Sequence, residues 1–305
     1  MPEARRNVAG GRLKHRGVEP ATPRRADPDS IDHLTPVSGR PPFREYLTQL
    51  LERRHFITMQ AWSQSTTQHR GMLLGNLWLV IAPAIDGLIY FLIFGLILRA
   101  DRGIENFFGF LVIGIFLFTY TTRSVNTASS SIHSNRGLIR AFTFPRAVLP
   151  VAAVLRETFA MLPVLMALAV LLFVVPPHAH VTPMWALVPL VFVMHAAFNL
   201  GFGFAMARIA TIFPDTRQLI PYGLRLWFYG SGVMFAVERF DAIPWLGQVV
   251  RAKPMYQALT MYRDLLLDGV MPEPLAWGSF ALWAGGALLV GAVFFWRGEV
   301  SYGRE

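Results

Sequence analysis

The side chains able to do chemistry in this chain are few, and the most telling are charges set inside apolar runs. Asp86 lies within one run, Arg123 within the next, and the neighbours Arg156 and Glu157 within a third. A charge at the centre of a membrane span costs roughly 2.5–3.5 kcal/mol on insertion scales, so each needs a partner or a wet surface. At about 1.5 Å of rise per residue, Arg123 and Glu157 come out at similar depth. They are expected to form an intramembrane pair on facing spans, with a proton or ion relay as the other reading. A relay wants carboxylates in line, and Asp86 and Glu157 are the acids on offer.

Other chemistry is excluded by what the sequence lacks. With no cysteine, no disulfide, thiol nucleophile or cysteine-ligated metal is possible. Neither lysine, Lys14 or Lys253, ends a phosphate-binding loop of the form G-x-x-x-x-G-K-[ST], and H-E-x-x-H and G-x-S-x-G are absent. His178 and His180 stand two apart in a turn without further ligands, so no metal is expected. No loop gathers the aspartates that would hold Mg²⁺ and a nucleotide sugar. Neither catalytic residues nor a resident cofactor are expected.

The elements that must position these groups follow from composition. Of 305 residues, 53% are hydrophobic and 15% charged, against about 25% charged in soluble domains. The apolar residues bunch into runs of about twenty, the length that crosses a bilayer core of about 30 Å. These features predict an all-α polytopic membrane protein rather than a β-barrel, whose strands would alternate. Six spans are expected, near Met72–Leu98, Phe107–Ile132, Ala147–Val175, Met184–Ala210, Tyr222–Val237 and Leu275–Trp296, forming a transmembrane domain over 72–297.

Residues 1–42 read as a disordered basic cytoplasmic tail, and 298–305 as a short cytoplasmic tail. Between tail and spans, Phe43, Tyr46, Leu47, Leu50 and Leu51 share one helical face, which predicts an amphipathic interface helix over 43–57. Arg136, Arg140 and Arg146 crowd the loop after the second span, and Arg208, Arg217 and Arg225 the loop after the fourth. The alternate loops are balanced, uncharged or slightly acidic. The formal charge of +9 therefore points to both termini in the cytoplasm of a plasma-membrane protein, not to nucleic acid. Residues 238–269 are too apolar for a free loop. They predict two short external re-entrant helices, the second opened by Pro254 and stopped by Gly269. Pro254, Met255, Tyr256 and Arg263 are its candidate gate residues. Arg263 is expected to lie opposite Met255 and Leu259, free to meet an anion or to pair with Asp264 or Asp268.

The second span carries Thr122 and Asn126 within a polar half, either helix contacts or the lining of a hydrophilic path. Trp227 and Tyr229 are either interfacial anchors or rings that stack on sugars.

Three stretches carry a resemblance: LLGNLWLVIAP at Leu73–Pro83, SNRGLIRAFTFPRAVLP at Ser134–Pro150, and KPMYQALTMYRDLLLDG at Lys253–Gly269. From Phe43 onward the chain resembles the membrane subunit of Wzm-type polysaccharide-exporting ABC transporters, which serve O-antigen, galactan, capsule and teichoic-acid export. It departs at MQAWSQSTTQHRG, residues 59–71, where many relatives place Arg-Asp and Arg-Tyr pairs. The resemblance implies a homodimer with the channel between two copies and a polyprenyl-linked polysaccharide as cargo. It also implies a separate ATPase subunit that binds ATP and Mg²⁺. It places an ATPase-coupling helix on Ser134, Asn135, Arg136, Leu138, Ile139, Arg140 and Phe142. There Leu138, Ile139 and Phe142 would plug a groove, and the two arginines would offer charge-assisted hydrogen bonds. A drug or small-lipid ABC permease and a secondary transporter are the alternatives.

Overall fold

A computed structural model describes residues 42–67, 75–97, 104–142, 144–235 and 244–303. The basic tail, the opening of the first motif and residues 236–243 lie outside the described residues. Among the described residues the regular structure is helical.

The expected interface helix is two helices, α1 (Phe43–Glu52) and α2 (Arg54–Thr67), broken at Arg53. Next comes α3 (Trp78–Tyr90), whose last turns widen into a π-helical stretch, Phe91–Ile97. The long α4 (Phe107–Ser134) is followed by the short α5 (Arg136–Ala141). Then come α6 (Val148–Val174), α7 (Val188–Ile212) and α8 (Thr216–Tyr229). The chain closes with α9 (Pro244–Arg251), α10 (Pro254–Arg263), which widens through Asp268, and α11 (Pro274–Arg297).

Local chemistry sets these boundaries. The Asn106 side chain caps α4 by accepting from Gly109 N at 2.8 Å. Pro254 and Pro274 occupy the first positions of α10 and α11, where a missing N–H costs nothing. Gly269, at φ 64°, ends the α10 stretch in the left-handed conformation.

Among the described residues, four helices are long and apolar enough to cross a bilayer: α4, α6, α7 with the turn before it, and α11. The first expected span is represented by α3 and its π-helical continuation. The fifth differs from expectation. Instead of running to Val237, α8 stops at Tyr229 after 14 residues, which reach about 21 Å, and the chain turns irregular through Phe235. The alternation of spans gives the bundle two ends. The terminal end holds α1, α5 and the last residues. The cap end holds the 175–182 turn and the C-terminal part of α10.

Helix α4 is the centre. Its most apolar stretch is 72% buried, against 22% for α11. Leu111, Phe116, Phe118, Leu168, Leu172, Leu259, Tyr262 and Phe280 form one buried cluster drawn from α4, α6, α10 and α11. Lipid is as apolar as leucine, so close packing rather than water exclusion holds such helices together. The clearest case joins α7 to α11. A Cβ at Gly201 would collide with the backbone of Ala287, and one at Gly291 with the backbone of Gly201. Nearby, Arg208 lies over the Phe294 ring at 4.3 Å and donates to the Phe294 carbonyl.

Replacing Gly201 with leucine should therefore force α7 and α11 apart. The fold should lose at least the overpacking cost of about 1–3 kcal/mol, read as a lower thermal unfolding temperature in detergent. Gly286, where a Cβ meets open space, should accept alanine without change.

Candidate functional site

The segment singled out for coupling forms the turn between α4 and α6. Asn135 closes α4, its side chain donating to Ser131 O at 2.8 Å, and α5 follows at once. Ser134 and Arg140 are exposed, and Arg136 is half-buried. Of the three apolar residues expected to plug a partner's groove, Leu138 and Ile139 instead pack inward. They lie against a cluster that includes Tyr46, Ile132, Phe204, Phe295 and Tyr302. Phe142 remains outward, 64% exposed.

This turn is fastened to both ends of the described chain through one carboxylate. Glu299 is 4% exposed. It accepts from Tyr46 Oη at 2.6 Å and from Arg146 N at 2.9 Å, and it pairs with the Arg146 guanidinium at 3.4 Å. Tyr46 Oη in turn accepts from Ala147 N at 3.0 Å. Burial raises the Glu299 carboxyl above its usual range, while the hydrogen bonds from Arg146 and Tyr46 oppose that rise. Sequence reasoning missed this clasp. Its signal was an acid, Glu299, two residues beyond the arginine that closes the last span.

The candidate gate residues lie at the broken end of α8. The carbonyls of Gly230, Gly232 and Val233 lie beyond the end of α8, and two cations satisfy them. Lys253, at the turn between α9 and α10, donates to Gly230 O at 3.0 Å. Arg263 donates to Gly232 O, Val233 O and Phe110 O at 3.0–3.2 Å, with its guanidinium 3.3 Å from the Phe110 ring centroid. Arg263 is thus neither open to an anion nor paired with Asp264 or Asp268. It is a structural tie among carbonyls, which corrects the expected role. Pro254 opens α10, and Met255 is buried beneath it, with its sulfur 3.4 Å from Thr121 Oγ1. The Tyr256 ring covers Gly232, whose φ of 68° leaves no room for a Cβ.

The expected pair between Arg123 and Glu157 is also corrected. Glu157 bonds its chain neighbour, with Arg156 Nη2 at 2.7 Å from its Oε1, and it accepts from Thr127 Oγ1 at 3.3 Å. Among the described residues no ion pair joins Arg123 to Glu157. Both instead line, with Pro83 and Tyr120, a cavity of about 10 Å³, which is about one water's worth. Equal depth brought the two together, but the adjacent guanidinium reached the carboxylate first.

The candidate channel residues do not converge. Trp227 packs on Phe118 and Phe202, with ring centroids 5.7 and 5.4 Å away, and lines an apolar groove with Phe198 and Trp283. Tyr229 is exposed beside Phe228, while Thr122 and Asn126 are half-buried on α4.

Four helices long and apolar enough to cross a bilayer, among the described residues, define a multi-pass helical membrane protein. The chain belongs to the ABC-2 type transporter family, whose model matches residues 57–267. It is similar to the O-antigen export system permease protein RfbA of Klebsiella pneumoniae, at 25% identity over 205 residues, 67% of this chain and 77% of that protein. RfbA of Myxococcus xanthus is 25% identical over 248 residues, 79% of this chain and 93% of that protein. The polysialic acid transport protein KpsM of Escherichia coli is 22% identical over 222 residues, 73% and 85% respectively.

Two outcomes follow from this geometry. Tyr46→Phe removes a buried donor and should cost about 1–3 kcal/mol of stability, read by thermal unfolding, with Glu299→Gln losing less than Glu299→Ala. At the cap end, burial pushes the Asp264 carboxyl up to about 6, with Asp268 and Glu273 adding repulsion and Arg263 opposing it. Glu105, His178 and His180 line the same cleft. The folded Asp264 holds its proton more tightly than the unfolded one, whose pKa is about 3.9. Its contribution to stability thus grows as pH falls through about 6 and is lost as pH rises. Asp264→Asn should raise the unfolding temperature near pH 7.5 and flatten its rise toward about pH 5.

Proposed function

We propose that the chain is the permease subunit of an ABC transporter that exports a polyprenyl-linked polysaccharide across the cytoplasmic membrane. A separate ATPase subunit binds ATP and Mg²⁺. In this reading two copies form the path, each with six spans, both termini and α5 on the cytoplasmic side, and the α9–α10 arm on the outer side. The observation that carries it is the agreement among relatives. Three proteins that align over two thirds or more of this chain bear names of O-antigen export or polysialic acid transport. The lack of a phosphate-binding loop in the sequence supports a partner ATPase. The α5 turn suits the contact. Phe142 projects while Leu138 and Ile139 tie α5 to the bundle, so a push on the turn reaches Arg146 and, through Glu299, both chain ends.

Deleting the gene should trap polymer inside the cell and strip it from the surface. An unchanged surface glycan overturns the reading. Phe142→Asp should abolish export while insertion and folding persist, and normal export by that variant removes the coupling role. Purified alone, the chain should turn over no ATP. Single cysteines at Ser134 and Asp268, introduced into a chain that has none, should react with impermeant reagents from opposite sides of the membrane.

A further inference from the structure

We propose that the polar cleft between α2, α4 and α6 is a binding site for a single sugar ring. It occupies about 300 Å³, roughly ten times the volume of a water molecule in the liquid. That is room for one ring with a few waters. Each helix contributes at helical spacing. Helix α2 supplies Gln60 and Gln64, and α4 supplies a ladder that includes Ser130 and Ser131 and ends at Asn135. Helix α6 supplies Arg156, with alanines one turn earlier that leave the space open.

Hydrogen bonds already made inside the protein decide what the cavity offers a ligand. Ser130 and Ser131 spend their protons on Asn126 O and Ala128 O, at 3.0 and 2.7 Å. Asn135 spends its amide nitrogen on Ser131 O. Each keeps oxygen lone pairs. Gln60 Oε1 is buried and has no hydrogen-bond partner among the described residues. A buried acceptor left unpaired is costly, so this wall asks for donors. Opposite it, Arg156 gives Nε and Nη2 to Glu157 and Nη2 also to Thr127. Its Nη1 makes no hydrogen bond among the described residues. The Gln60 and Gln64 amides and the second N–H of Asn135 add donors to the acceptor wall, so it both accepts and donates, while an ammonium would meet the guanidinium. A ring hydroxyl donates to the wall and accepts from the arginine with the same group. The site lies inside one protomer and touches Asn135, the hinge between α4 and α5, so a bound ring would bear on the coupling turn.

The cavity stands on its own geometry, while assigning the ring to transported polymer rests on the export reading. The test uses the full chain in nanodiscs made of sugar-free lipid, probed with methyl glycosides of glucose, galactose, mannose and rhamnose. Saturation-transfer NMR should detect at least one of them. The Q60L/S130A double variant should weaken binding about tenfold or more, the cost of two hydrogen bonds. Ser130→Ala alone barely changes volume and should show a partial loss with an unaltered unfolding temperature. Ser279→Ala, at the far side of the bundle, should bind normally. If no glycoside shows transfer, or the double variant binds as the parent does, the cavity holds water alone and the proposal fails. Two sources could deliver the ring, and both arms support the site. If it belongs to the polymer, the double variant accumulates polymer inside the cell. If it belongs to a membrane glycolipid, export is unchanged and a glycolipid found by mass spectrometry with the parent protein is missing from the variant. A binding result that stands while gene deletion leaves surface glycan intact would retain the site and discard the export reading.

Discussion

Backbone polar groups that leave a helix at span depth must find partners within the protein, because lipid supplies none. Beyond the break after Tyr229, Lys253 and Arg263 supply such partners, with hydrogen bonds to the carbonyls of Gly230, Gly232 and Val233. Lys253 also sits where the helix dipole of α8 is negative. Both cations come from the arm that carries α9 and α10. The arm and the broken helix are therefore one structural unit. Arg263 ties that unit to the start of α4 as well, through Phe110.

The opposite end is organised by a carboxylate rather than by cations. Glu299 gathers the interface helix, the turn after α5 and the end of α11 into one knot. Desolvation makes an unpaired charge there costly, so each partner depends on the others being present. Between the two knots, α4 runs buried from the cap end to the turn that carries α5.

Much of this was legible in the residues. The apolar runs gave α4, α6, α7 and α11 within a few positions, since their periodicity and length leave little choice. Pro254 and Gly269 marked the limits of the α10 stretch for reasons of backbone geometry alone. The fifth span was misjudged because hydropathy continues through Val233, Met234 and Phe235 although the helix does not; apolar content does not report a break in hydrogen bonding. Arg123 and Glu157 were matched by depth, yet depth gives no rotation about a helix axis. For the same reason Leu138 and Ile139 read as outward when half of a six-residue helix faces in. The clasp joins residues at the two extremes of the sequence, and no local pattern announces such a contact.

That distance along the chain has a bearing on biosynthesis. Tyr46 is among the first described residues, yet its acceptor lies 253 positions later. Until Glu299 is made, α1 lacks its bond to the carboxylate, however well the intervening helices have inserted. The closing step of assembly thus waits until α11 and Glu299 have been made. A message cut short after α11 begins would yield a chain with its spans in place and its first helix undocked, a visible mark by which a membrane protease could tell unfinished copies from complete ones.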